Sequence, residues 1–154
     1  MIRSVLAAAA LLLATAVPAS ADATGYLIWD SDPDASPTHG NSGSWTPPEL
    51  FSVREDPEDG NLIRIKGESP DSRDYIMIEL ARNDGQRIGE GHFADQKVLV
   101  VYHGIGTWDD GGDFAVEHIA YNAEGLISEF DGAVEHHNGD RPNSTFRAKI
   151  SYRR

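Results

Sequence analysis

Three aspartates alternate in Asp30-Ser31-Asp32-Pro33-Asp34, and this segment is the chain's best candidate for holding a metal ion. Carboxylates at every second position offer hard oxygen donors from one short stretch, and calcium takes six to eight such donors. The match to an EF-hand loop fails further on. Ala35 stands where glycine belongs, Asn41 replaces the bidentate glutamate, and Pro33 and Pro37 are awkward for that loop. Calcium at Asp30, Asp32 and Asp34 is therefore expected to be weak, ~10⁻⁴–10⁻³ M, and no other cofactor is expected. The competing reading is a solvated acidic loop that keeps a sheet edge from sticking to other chains. Trp108-Asp109-Asp110-Gly111-Gly112-Asp113 is a second acidic stretch. It reads as a turn, since Asp and Gly tolerate the dihedrals that turns require.

Six histidines raise the question of zinc: His39, His92, His103, His118, His136 and His137. No His-Glu-x-x-His motif or helical His-x3-His pair is present. Neighbours on a strand face opposite ways, so His136 and His137 cannot point at one ion. His118 is expected to face the core with a hydrogen-bond partner. Glu135 and His137 share a strand face and are the weak catalytic candidates, as an acid–base pair or part of a ligand set. The plainer alternative is that Glu135 holds Arg147 or the turn after His137. No Gly-x-Ser-x-Gly elbow or phosphate loop occurs, and without cysteine there is no thiol nucleophile. Gly104-x-Gly106 is too short to argue for a nucleotide. Paired carboxylates suited to glycoside cleavage discriminate nothing in a chain with 25 acids. The remaining handle is aromatic. Trp29, Trp45 and Trp108 flank loops, where tryptophan can stack on sugar rings; Tyr26, Trp29 and Trp45 bracket the acidic loop as the candidate glycan or peptide face, and Trp108 is a further ligand-binding candidate.

These residues must be carried by strands, because helix signals are nearly absent beyond residue 21. Candidate strands are 25–29, 50–54, 62–66, 74–81, 86–92, 97–103, 114–121, 126–137 and 145–152. Gly, Asn, Asp and Pro clusters separate them. Residues 30–48 form a long acidic Asp/Pro/Ser/Gly loop. The expectation is an all-β fold, an antiparallel β-sandwich or flattened barrel of about eight to nine strands, in a single domain over 22–154. Over 113–153 a three-stranded meander can be set in register. Phe114 pairs with Val134, His118 with Phe130, Val134 with Ala148 and Phe130 with Tyr152. The opposite face then sets Glu135 beside Arg147 and Glu129 beside Arg153.

Residues 1–21 read as a cleaved Sec-type signal peptide. Arg3 opens it, an apolar run extends from Val5 to Val17, and Ala19-Ser20-Ala21 is the cleavage box. The run is too short to span a bilayer and no later segment approaches the necessary length. The expected location is secreted or periplasmic. The whole chain carries 13 Lys and Arg against 25 Asp and Glu, a formal charge of −12. Such a balance argues against nucleic acid or an anionic membrane as the main partner. The acids crowd residues 22–60, whereas 141–154 holds five basic residues and no acid. The two segments are expected to lie side by side.

One family resemblance follows from the last third. Phe114-Ala115-Val116, Tyr121, Glu124-Gly125, Phe130, Val134-Glu135-His136-His137 and Phe146-Arg147-Ala148-Lys149-Ile150-Ser151-Tyr152 carry it. The chain resembles a domain of exported bacterial proteins, many actinobacterial or myxobacterial, with a Phe-Glu-x-His segment and a closing aliphatic-Tyr strand. The opening Gly25-Tyr26-Leu27 and Gly89-Glu90-Gly91-His92-Phe93 match more loosely. Members often have two cysteines where Thr107 and Asn138 stand here, so a disulfide is lost as a unit. The resemblance implies export and a β fold and assigns no activity. The leading functional expectation is a non-catalytic, monomeric module binding a glycan or an extracellular protein. The alternatives are an exported hydrolase using Asp/Glu or a loop-bound metal, and an inhibitor of a secreted enzyme suggested by the Pro-rich loop.

Overall fold

The computed structural model describes residues 23–46, 50–139, 141 and 143–154. The expected leader over 1–21 lies outside them. Nine antiparallel strands make one sheet: β1 (Thr24–Ser31), β2 (Ser42–Trp45), β3 (Leu50–Glu55), β4 (Leu62–Glu68), β5 (Tyr75–Ala81), β6 (Gly91–Tyr102), β7 (Ile105–Tyr121), β8 (Ile127–His137) and β9 (Thr145–Arg153). Strands β3 to β9 follow one another as a meander, β1 then lies beside β9, and β2 borders β1. No helix occurs among the described residues, and so none there is long and apolar enough to cross a membrane.

The sheet curls into a nearly closed barrel because alternate residues are apolar and must leave water together. Ile63 and Ile65, Ile76 and Ile78, and Phe146, Ala148 and Ile150 all point inward. Contacts across the interior show the curvature. The ring of Phe51 on β3 meets Tyr152 on β9 edge-on at 5.5 Å. Trp45 on β2 lies over Gly67 on β4, where a Cβ would fall 2.6 Å from the indole. A side chain at Gly67 would therefore push the two ends of the sheet apart.

The meander register is as expected along β8 and β9, with Val134 opposite Ala148 and Phe130 opposite Tyr152. Along β7 it holds from Phe114, opposite Val134, to Val116, opposite Gly132. A β-bulge at Glu117 then shifts it, so that His118 faces Asp131 and Ile119 faces Phe130. One extra residue reverses the faces. Ile119 and Tyr121 pack against the core, while His118, expected inside, lies outside between Glu90 and Glu129, 3.2 Å from each.

Three other expectations are revised. No separate strand forms over 86–92; β6 starts at Gly91 and runs to Tyr102 with irregular pairing between Phe93 and Val98. The stretch 108–113 is not a turn but the first half of β7. The actual turn is His103-Gly104, both with positive φ, the pattern of a type I′ hairpin joining Tyr102 to Ile105. The described part of the acidic loop, residues 30–46, is also more ordered than a solvated one. It contains β2, and Ala35, Pro37 and Thr38 are buried as its turns fold over the barrel end.

Candidate functional site

The acidic start and the basic end meet, as their charges suggest, because β1 pairs with β9. The Asp32 backbone N–H donates to the Thr145 carbonyl at 2.9 Å, and the Thr145 N–H returns a bond to the Asp32 carboxylate at 3.1 Å. The Arg147 guanidinium reaches the same carboxylate at 3.2 Å and stands 3.9 Å from Asp30. The Thr145 N–H first, and Arg147 second, hold the Asp32 carboxyl below the usual range. Asp34 is exposed, and its N–H bonds the Asn143 carbonyl at 3.0 Å. Asp32, with Asp30 beside it, thus clamps the loop to β9 through Thr145 and Arg147, and the Asp34 backbone ties the loop to Asn143 just before that strand. Among the described residues no group of three or more acids or histidines is arranged to hold a metal ion.

The aromatic candidates separate. Trp29 and Trp45 are buried, 4% and 9% exposed, and cannot stack on a ligand. Trp29 follows Leu27 on the inward face of β1 and packs on Phe146 at 5.8 Å and on Tyr102 at 5.3 Å. Tyr26 and Trp108 are open to solvent at 39% and 56%. They sit on β1 and β7, three places apart in the sheet. Of the three residues expected to bracket the acidic loop as a face, only Tyr26 is exposed, and Trp108 lies apart from it. In the Pro-rich loop Pro37 and Thr38 are tucked inward and Pro33 is exposed.

Glu135 and His137 do come together, on the outer face of β8. The His137 Nε2 is 3.7 Å from Glu135, and its Nδ1 is 3.4 Å from Asp109 of β7. Asp109 also accepts the His137 backbone N–H at 2.5 Å. The result is a chain from a nearly buried carboxylate through an imidazole to an exposed carboxylate. Glu135 does not hold Arg147 as expected. The two are opposite in register, but the guanidinium turns to Asp32 and Asp30 instead.

On the inner face at the same level, His136 is fully buried. Its Nε2 lies 2.9 Å from the Thr107 carbonyl, so this nitrogen carries the proton and donates. Its Nδ1 is buried without a hydrogen-bond partner. Burial pushes the His136 pKa down and keeps the ring neutral.

Glu135 also forms a wall of an outward cleft of about 330 Å³. The floor is made of small side chains. Ala115 and Ala133 are direct partners on β7 and β8, and Ala94 enters from the irregular stretch of β6. Taller neighbours, His92, Asp113 and Glu135, rise around them, while Phe93 borders the cleft with its ring packed inward against the core. Phe93 is fixed by stacking on Phe114 at 4.9 Å, and the Asp113 carboxylate accepts the Asp95 N–H at 2.9 Å. Pockets that hold small ligands start near ~300 Å³, so the cleft has room for one side chain or one small group. Sequence reading did not bring His92, Asp113, Ala115 and Ala133 together with Glu135 as one site. The signal was present in the outward residues of the register, where two alanines are flanked by acids.

Among known protein families, curated proteins and solved structures, none matches this chain.

Proposed function

We propose that this chain is an exported, non-catalytic binding module that takes its ligand in the outward cleft of β6, β7 and β8. One observation carries this reading: a cleft of about 330 Å³, floored by alanines on three neighbouring strands and walled by His92, Asp113 and Glu135. Small side chains facing water on adjacent strands gain nothing from burial, whereas they admit a guest to the sheet surface. The leader-like residues 1–21 support a secreted or periplasmic location and a glycan or extracellular protein as partner. The resemblance to exported bacterial β-domains, proposed on residues 104–152, agrees with it.

The test fills the cleft. Wild type and Ala133→Phe would be screened against polysaccharides, peptidoglycan and secreted proteins. Binding that disappears in Ala133→Phe, at an unchanged melting temperature, supports the reading. Binding that survives Ala133→Phe and is lost in Trp108→Ala sinks it.

A second reading, an exported hydrolase, is favoured by the Asp109–His137–Glu135 chain. An oriented imidazole beside an accessible carboxylate on a cleft wall is a plausible general base. Turnover of any substrate class that vanishes in His137→Ala but persists in Trp108→Ala would establish it. Wild-type inactivity across an esterase, glycosidase and peptidase panel, in the presence of a demonstrated binder, would remove it.

A further inference from the structure

We infer that the cleft receives the cationic side chain of an exported partner protein, a lysine or arginine; this rests on the cleft being the binding site. The register of the outer face gives the reason. Asp113 and Glu135 are directly opposite one another on β7 and β8. Like charges facing across a strand pair repel, and a sequence that keeps them leaves a place for a cation.

The cation is not supplied from within. Several other outer carboxylates have a cation of their own: Arg153 takes Asp131 and Glu129, Arg64 takes Glu79, Arg87 takes Glu55 and Lys66 takes Glu68. Among the described residues neither Asp113 nor Glu135 has a lysine or arginine within ion-pair distance. Arg147 stands opposite Glu135 and is drawn off to Asp32. Lys149 stands opposite Ala133, exposed, and pairs with neither acid. The only base on Glu135 is His137, at 3.7 Å.

The rest of the cleft suits the stem of such a side chain. Lysine and arginine bury three or four methylenes along apolar surface while the charged head stays polar. Ala94, Ala115 and Ala133 provide that surface, and the two carboxylates receive the head at one end. A protein rather than a free amine fits the surroundings. On the same outer row, Ile28 of β1 lies beside Lys149 and is 50% exposed, with Tyr26 next to it at 39%. These add apolar contact area that a lone amine would not reach.

The experiment uses the chain from residue 22 onward, isotope-labelled, at low and high salt. Four probes are titrated: Nα-acetyl-arginine amide, Nα-acetyl-citrulline amide as the neutral isostere, an octapeptide with one central arginine between leucines, and a neutral oligosaccharide. The expected result is that the arginine peptide shifts the amides of Ala115, Ala133 and Glu135 and, more weakly, those of Tyr26 and Ile28. It should bind more tightly than the free amide, lose at least about fivefold in affinity in Glu135→Gln, and weaken with salt. Equal binding of citrulline, or no effect of Glu135→Gln and Asp113→Asn, overturns the cationic assignment. Equal affinity of the free amide and the peptide overturns the protein partner. If only the oligosaccharide binds there and Ala133→Phe abolishes it, the cleft survives as the site and the cation falls. If no probe perturbs the cleft amides, this inference falls, and the cleft reading is then decided by the separate Ala133→Phe screen.

Discussion

At the Phe130–Tyr152 end of the β8–β9 pair, both layers of the sheet are complete, whereas at the His136–Phe146 end neither is. At the first end Phe130 is fully buried among apolar neighbours. Outside it Arg153 grips Asp131 through two nitrogens, at 2.5 and 3.0 Å. Arg153 also reaches Glu129 at 3.4 Å, and His118 bridges Glu129 to Glu90. At the second end the inward position holds His136, whose Nδ1 has no partner, and the outward position holds Glu135 facing Asp113. The strands and the pairing are the same, so backbone geometry does not explain the difference. Buried unpaired polar atoms and facing like charges both cost stability. At this end the two coincide beside the cleft; the other buried side-chain atoms without a partner among the described residues are Trp29 Nε1 and Tyr121 Oη.

The largest effect expected from this contrast belongs to the complete end. Phe130→Ala should lower stability by ~3–5 kcal/mol, the usual range for a buried phenylalanine, measured by denaturant unfolding. If the ends differ as argued, the folded fraction of the variant keeps its cleft affinity, since Phe130 lies on the inner face away from the cleft walls. A variant that loses affinity in proportion to stability would mean the two ends form one unit.

The next effect concerns His136 and has a defined pH window. Its folded pKa is pushed down by burial, so the unfolded chain takes up the proton first as pH falls. Stability is then full above the ordinary value of 6.5 and is lost as pH falls from there through the folded pKa. The slope from one such group is at most ~1.4 kcal/mol per pH unit. His136→Leu should unfold with a flatter pH profile just below 6.5 than wild type, whatever its stability at pH 8. An unchanged slope in the variant would assign the acid sensitivity to other groups. The lowered carboxyls of Asp32 and Asp131 contribute their losses separately, below their ordinary 3.8.

Much of this contrast can be read from the sequence, and the unread parts have physical causes. The inward set of β9, Phe146, Ala148, Ile150 and Tyr152, alternates with polar residues, so only one register buries it. Glu135 beside Arg147 and Glu129 beside Arg153 follow from that register alone. The bulge at Glu117 could not be read, because both parities beyond it carry residues able to face inward: His118 and Ala120, or Ile119 and Tyr121. Strand β2 is hidden because Ser42-Gly43-Ser44 has loop composition and is held by its pairing to β1. The burial of Trp29 was legible, since it is in phase with Leu27, which lies fully inside. The cleft was half legible. Glu135 marks its wall, but the floor requires knowing that Ala115 and Ala133 are partners facing outward and that β6 reaches them at Ala94.

The smallest expected effect separates the two ends most directly, because the signs should be opposite. Asp131→Asn removes a carboxylate gripped by Arg153, whose guanidinium is the main cause of the lowered Asp131 carboxyl. Such partly exposed pairs contribute ~0.2–1 kcal/mol, so the variant should be less stable by that order. Glu135→Gln removes a charge that faces Asp113 and has no lysine or arginine in reach, so it should be neutral or more stable by a few tenths, ~0.2–1 kcal/mol at low salt. The sequence change is the same in kind, a carboxylate made an amide on the outer face of β8, only four residues away. Shape and helix or strand propensity therefore change little between the two tests. Raising the salt concentration should shrink both differences, since exposed charges are screened over ~8–10 Å. Paired urea unfolding curves for the two variants and wild type, at low and high salt, measure both signs in one experiment. Destabilisation by Glu135→Gln as large as that by Asp131→Asn would mean that His137, 3.7 Å away, already balances Glu135. The cleft end would then be as complete electrostatically as the other.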